Sequence, residues 1–412
     1  MLQCRKEGLV ACFFLCALVH CGGDDVTAAP TRWVATWAAA QQDSNEIPPF
    51  PQGPQPTAQV VKDETIRQIV HTSIRGTGLR IKLSNRFGNA PVTLANVRIA
   101  RSTGGASIDA SSDRSVTFAQ ATTTTLPAGA DAWSDLVSFD AATNADLAVS
   151  FYIQAETRVA TGHSFALRTN YVGAGNIVSA PTMDGATTST SYRWLAGIDV
   201  ATTETTKVVV AFGDSITDGL ASTVGMDHRW PNYLDQRAQT AAAIGRVSVV
   251  NAGIGGNRWL HDGMGPSGSG RLERDVIDTS GATHAILLLG TNDIGVGVLA
   301  TSQAVSAEQI TGSIDAAIAK GKQAGLKIYL GTLLPFKGAI YYTEAGEASR
   351  QSVNTWIRAN KSANGVIDFD QATRDPADPA TLQAAYDSGD HLHPNDAGYQ
   401  AMGNAIDLNA LE

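Results

Sequence analysis

Five near-continuous apolar runs, all beyond residue 206, limit what this chain can fold into more than any other feature. They are Val208-Val209-Val210-Ala211-Phe212, Val247-Ser248-Val249-Val250, Ala285-Ile286-Leu287-Leu288-Leu289, Leu326 to Leu330, and Val366 to Phe369. A strand with one wet face alternates polar and apolar residues. Runs without alternation belong to strands buried on both faces of a parallel sheet. Parallel neighbours need long crossovers, and helical segments stand between the runs. Ser306 to Ala324 is one such segment, with Ile310, Ile314 and Ile318 along one face. The alternation predicts a doubly wound α/β domain over residues 206–412.

Before that point the pattern has period two. Leu79, Ile81 and Leu83 alternate with Arg80, Lys82 and Ser84. Leu147, Val149, Phe151 and Ile153 alternate around Ala148, Ser150 and Tyr152. Turn clusters such as Asn85-Arg86-Phe87-Gly88-Asn89 and Thr103-Gly104-Gly105 separate the runs. Residues 31–205 therefore read as a β-sandwich or jelly-roll-like domain. Pro48, Pro49, Pro51 and the stretch Gln52 to Pro56 read as a loop, and Ala201 to Thr206 as the linker between the halves. No internal repeat is evident.

Residues 1–28 read as an export segment. Arg5 and Lys6 precede an almost wholly apolar stretch, Gly8 to Val19, of about 12 residues, too short to span a bilayer. Leu18-Val19-His20-Cys21 is similar to a bacterial lipobox, in which the cysteine is lipidated, although His20 replaces the small residue usual there. Gly22 to Asp25 then forms a tether. The alternative is ordinary cleavage near Val26-Thr27-Ala28. Either way the chain is expected to be extracellular, periplasmic or on the cell envelope, with a lipid on Cys21 as its membrane attachment.

All four cysteines, Cys4, Cys12, Cys16 and Cys21, fall in this segment. The remainder can form no disulfide, thiol nucleophile or cysteine-based zinc site. A net charge of −9 disfavours nucleic acid as a partner. Neither a GxxxxGK[ST] phosphate loop nor a GxGxxG opening a helix occurs, so no nucleotide cofactor is expected, nor any other.

Ligands of a doubly wound sheet bind beyond the carboxyl ends of its strands. After the first run comes Gly213-Asp214-Ser215-Ile216-Thr217-Asp218-Gly219, where Ser215 is either a nucleophile or a helix cap. After the second comes Asn251-Ala252-Gly253-Ile254-Gly255-Gly256-Asn257, either an oxyanion-binding loop or a plain turn. After the third comes Gly290-Thr291-Asn292-Asp293, where Asn292 is either an oxyanion donor or an Asx turn. Near the end, Asp390-His391-Leu392-His393-Pro394 places an acid three residues before a histidine, suited to orient a general base. Asp390, His391 and His393 are also metal-ligand types, although no further ligand cluster supports a metal. No G-x-S-x-G occurs, which excludes the ordinary α/β-hydrolase elbow.

Gly213-Asp214-Ser215, Gly256, Asn292 and Asp390-x-x-His393 together resemble the four blocks of the SGNH, or GDSL, hydrolase family. The resemblance implies a flavodoxin-like α/β/α domain and serine esterase chemistry without a cofactor. It assigns Ser215 as nucleophile, His393 as base and Asp390 as its partner. The N–H groups of Ser215 and Gly256 and the amide of Asn292 become the oxyanion hole, with Gly255 competing with Gly256. Arg229-Trp230-Pro231, Asn257-Arg258, Gly265-Pro266-Ser267, Arg271-Leu272-x-Arg274-Asp275 and Tyr341-Tyr342 are similar to a secreted bacterial subgroup with an N-terminal β domain, which includes acyl- and arylesterases.

The expected activity is hydrolysis of carboxylic esters of short acyl groups, O-acetyl on carbohydrate among them, failing below roughly pH 6 as the base protonates. Trp230, Trp259, Tyr341 and Tyr342 are candidates for stacking on sugar rings, or ordinary packing. Asp214 and Asp218 read as loop braces. The alternatives are a lipase or lysophospholipase, or a non-catalytic glycan-binding surface lipoprotein.

Overall fold

Five parallel strands form the second half: Thr206–Gly213, Arg246–Gly253, Ala282–Leu288, Lys327–Gly331 and Gly365–Ile367. The computed structural model describes residues 32–44 and 59–412. The expected export segment and the proline-rich loop therefore lie outside the described residues. The strands lie in the order second, first, third, fourth, fifth, which is flavodoxin-like. Val208 to Phe212 are all fully buried, as unalternating runs require. The last strand ends at Ile367, short of the expected Phe369. Asp368 accepts a hydrogen bond from the Gln371 N–H and starts a helical turn at Phe369 instead.

The helix Ala307–Gln323 begins at a capping box in which Ser306 and Gln309 exchange side-chain-to-backbone hydrogen bonds. Ile310, Ile314 and Ile318 are its buried stripe. Asn395 caps Asp396–Ala405 by accepting from the Gly398 N–H.

The first half is antiparallel and, among the described residues, has a single 3-10 turn for a helix. One sheet holds five strands, with Gly76–Ser84 and Leu195–Thr202 at its centre. A second holds eight, with Ala145–Ile153 between Glu64–Thr72 and Val92–Gly104, and two small sheets of two and three strands accompany them. Leu79, Ile81, Leu83 and Ile198 share one apolar core with Leu147, Val149 and Phe151. Ala148 and Ser150, expected to face water, are buried as well, because loops cover the outer face of this central strand.

Residues 31–412 form one compact unit. The strand Arg32–Ala38 pairs with Leu195–Thr202 and also lies against the edge strand Arg246–Gly253. Ser248 Oγ donates to the Ala35 carbonyl at 2.6 Å, and the Val249 N–H donates to Ser73 Oγ at 3.0 Å. Ser73 Oγ in turn donates to Asp235 at 2.6 Å. The connection between halves is shorter than expected. Ala201 and Thr202 stay in the strand, opposite Trp33 and Arg32, so only Thr203, Glu204 and Thr205 bridge to the parallel sheet.

Candidate active site

Gly213 stands in register with Gly253 on one side and Leu288 on the other. The segments following the first three strands therefore leave the sheet side by side. After the first, Asp214 caps a four-residue helix, Ser215–Asp218, by accepting the Ile216 N–H at 3.0 Å. Asp214 is the cap, which leaves the Ser215 hydroxyl for another partner. That partner is His393, whose Nε2 is 2.8 Å from Ser215 Oγ. Burial pushes the Asp214 carboxyl up to about 7, although its bond from Ile216 acts the other way.

His393 sits on a turn tied by acidic side chains. Asp390 Oδ1 accepts the N–H groups of Leu392 and His393 at 2.9 and 2.8 Å, and Asp390 Oδ2 is 2.6 Å from His393 Nδ1. Partial burial would raise the Asp390 carboxyl, but the His393 ring and these N–H donors hold it well below the usual range. The neighbouring His391 turns away and pairs with Asp387 at 2.6 Å. The two histidines therefore do not converge on one point.

The loop after the second strand separates the two candidate glycines. The Gly255 N–H donates to Asp218 Oδ2 at 3.1 Å. Gly256 adopts φ +73°, a left-handed conformation that favours glycine, and its N–H meets no backbone carbonyl. Beyond the third strand, Asn292 Nδ2 donates one hydrogen to the Asn257 carbonyl at 3.1 Å, and the Tyr341 hydroxyl donates to Asn292 Oδ1 at 3.4 Å. Its second amide hydrogen remains for a ligand. Asn292 is thus neither an Asx turn nor free to rotate.

Three further residues frame this loop: Asp293 and Arg271, which stand in sequence motifs but without a role, and Gln42, which no motif contains. Asp293 accepts the N–H groups of Trp259 and Leu260 at 2.8 and 3.2 Å, and burial raises its carboxyl to about 6. Arg271, buried, donates to the carbonyls of Gly213 and Ala252 at 2.7 Å each and to Asn257 Oδ1 at 2.9 Å. Burial lowers its guanidinium to about 10, so it remains charged at neutral pH. The third is Gln42 of the β half, which accepts the Ser164 N–H at 3.0 Å and donates to the Met264 carbonyl at 2.7 Å. Beside it, an added Cβ at Gly255 would lie 2.6 Å from the Phe165 ring, so the β half forms one wall of the loop.

Of the two readings of the aromatics, sugar stacking or ordinary packing, packing holds for three of the four. Trp230, Trp259 and Tyr341 are buried in the core, and only Tyr342 is half-exposed. A possible cation group, His71 with Asp146 and Asp227, lies elsewhere. Arg168 already bridges its two carboxylates, supplying the positive charge an ion would bring.

Residues 211–401 match the sequence profile of the GDSL-like lipase/acylhydrolase family. Residues 211–401 form a GDSL-like lipase/acylhydrolase domain. No curated protein matches the chain. Among solved structures, an acetylxylan esterase from Geobacillus stearothermophilus is similar at 20% identity, over 50% of this chain and 93% of the other, with a TM-score of 0.39. A GDSL-like lipase from Bacteroides thetaiotaomicron VPI-5482 is similar at 21% identity, over 48% and 85%, with a TM-score of 0.37.

Proposed function

We propose that this GDSL-like protein is a serine esterase that hydrolyses carboxylic esters of short acyl groups through an acyl-enzyme on Ser215. The observation that carries the reading is the continuous chain Ser215 Oγ, His393, Asp390, with contacts of 2.8 and 2.6 Å. Ser215 Oγ attacks the ester carbonyl carbon while His393 Nε2 takes its proton. The carbonyl electron pair moves to oxygen, where the N–H groups of Ser215 and Gly256 and the free hydrogen of Asn292 Nδ2 receive it. Collapse breaks the C–O bond, and the alcohol departs with the proton from His393. Water then repeats the attack, gives its proton to His393, and releases the carboxylic acid and Ser215. Asp390, held ionised, orients the ring and balances the imidazolium.

The Phe165 wall and the tied Trp259-Leu260 turn favour a small acyl group over a long chain. Export through residues 1–28 and lipidation of Cys21 belong to this proposal and rest on the sequence of that segment. Residues 29–412 and their Ser215→Ala variant would be assayed on p-nitrophenyl acetate, a long-chain p-nitrophenyl ester and acetylated xylan. Turnover of the acetyl substrates that falls about 10⁶-fold in the variant is expected. A long-chain preference moves the reading to a lipase. Turnover that survives Ser215→Ala, or none at all from folded protein, overturns it.

A further inference from the structure

Resting on that reading, we propose that His163, from the β half, is a positioning residue for the oxyanion loop, held as an imidazolium that clamps the Asp218 carboxylate. His163 closes the strand Thr161–His163 and is buried. Its Nδ1 is 2.9 Å from the Ala40 carbonyl oxygen, and its Nε2 is 2.9 Å from Asp218 Oδ1. A carbonyl oxygen only accepts, so Nδ1 carries hydrogen. Asp218 Oδ2 accepts the Gly255 N–H, and as a carboxylate its Oδ1 accepts as well. Both ring nitrogens then donate, and the ring is a cation.

The groups around it fit that state. Burial opposes the charge, and so does the Arg229 guanidinium, but the Asp218 charge and hydrogen bonds outweigh them and raise the ring above the ordinary histidine value. Tyr192 faces the ring at 6.4 Å between centroids, and burial pushes its hydroxyl up to about 12, so it stays neutral. His71 lines the same small cavity.

The clamp matters because Asp218 serves two parts of the site. It is the last residue of the helix that begins at Ser215, and it holds the residue before Gly256. Asp218 is 1% exposed, so without a counter-ion its charge is stranded. It would then turn toward another partner, releasing Gly255 and shifting the Gly256 N–H beside it. A ring with a raised pKa supplies the clamp fully at and below the ordinary histidine range. The clamp is lost as pH climbs through the raised value. Turnover therefore gains an alkaline limb from His163.

The test uses residues 29–412, wild type, His163→Ala and His163→Gln, with kcat and KM for p-nitrophenyl acetate measured from pH 5 to 10. Nitrogen-15 NMR of the histidine rings and of the Gly255 amide accompanies it. The expected result is a kcat loss of about 10- to 100-fold in His163→Ala, with KM within about twofold and a cooperative melt. His163→Gln, a donor without charge, loses the alkaline limb. In wild type, both His163 nitrogens carry hydrogen at pH 7.5, and the Gly255 amide signal moves in either variant. A ring with bare Nε2 at pH 7.5 overturns the clamp, as does wild-type kcat with an unchanged alkaline limb in folded His163→Ala. Failure of the esterase reading itself appears separately, as wild-type activity that does not depend on Ser215. The ring and Gly255 signals still decide the clamp in that case.

Discussion

Both halves of this molecule bury arginine completely, and Arg67 in the first is surrounded differently from Arg271 in the second. In the β half, Arg67 donates to the carbonyls of Ala106, Val178 and Ala180 at 2.5, 3.1 and 2.8 Å and to Ser150 Oγ at 2.9 Å. It gathers loops over the outer face of a sheet, and all four of these acceptors are neutral. In the acylhydrolase half, Arg271 gathers the ends of the first two parallel strands and the oxyanion loop, and pairs with Asp275 at 3.1 Å. Burial lowers both guanidinium groups. The difference is in what each holds still. Stability and turnover should be separable in the first half and joined in the second.

The largest effect that sharpens this contrast comes from a side chain at the site that bears little of the fold. Asn292→Ala should lower kcat about 10²- to 10³-fold while urea unfolding changes little. Near-normal turnover would remove Asn292 from the oxyanion hole. Next in size is the arginine pair itself. Arg67→Leu and Arg271→Leu should each cost about 3 kcal/mol in urea unfolding, because carbonyls lose buried partners and, for Arg271, Asp275 loses its counter-ion. Only Arg271→Leu should also lower kcat in the protein that remains folded. Equal kcat in the two variants would break the contrast.

The smallest effect belongs to the seam. Burial raises the Asp235 carboxyl to about 7, against the pull of its bonds from Ser73 and Gln239. In the unfolded chain the group is already ionised above about pH 4. The fold must therefore give up a favoured proton as pH rises from about 4 to 7, and stability falls across that window. Asp235→Asn should gain about 1 kcal/mol or more at pH 8 and close to nothing at pH 4, read from thermal melts at both pH values. A gain independent of pH would refute the ionisation account.

The parallel sheet was legible because its strands are buried on both faces and leave runs that need no partner to be seen. The candidate site residues Ser215, Gly256, Asn292, Asp390 and His393 stand out in the sequence because each follows a strand or a turn at a recognisable spacing. What failed depends on contacts distant in sequence. Ala201 and Thr202 are strand only because Trp33 and Arg32 pair with them. Trp230, Trp259 and Tyr341 look like ligand platforms in a list of residues and are packing in three dimensions. His163 carries no motif, and its partner Asp218 lies 55 positions away. Spacing from Asn251 favours Gly256 over Gly255, and in the structure it is the Gly255 N–H that Asp218 engages.

The contact between Arg32–Ala38 and the edge of the parallel sheet has a consequence for the second half on its own. An uncovered outer strand offers its N–H and C=O groups to any passing chain. Here Ala35 and Ser73 occupy that border, through Ser248 Oγ and the Val249 N–H. The β half thus covers part of the parallel sheet's margin with its own chain. Residues 206–412 expressed alone would present that margin to other chains and are expected to associate with one another.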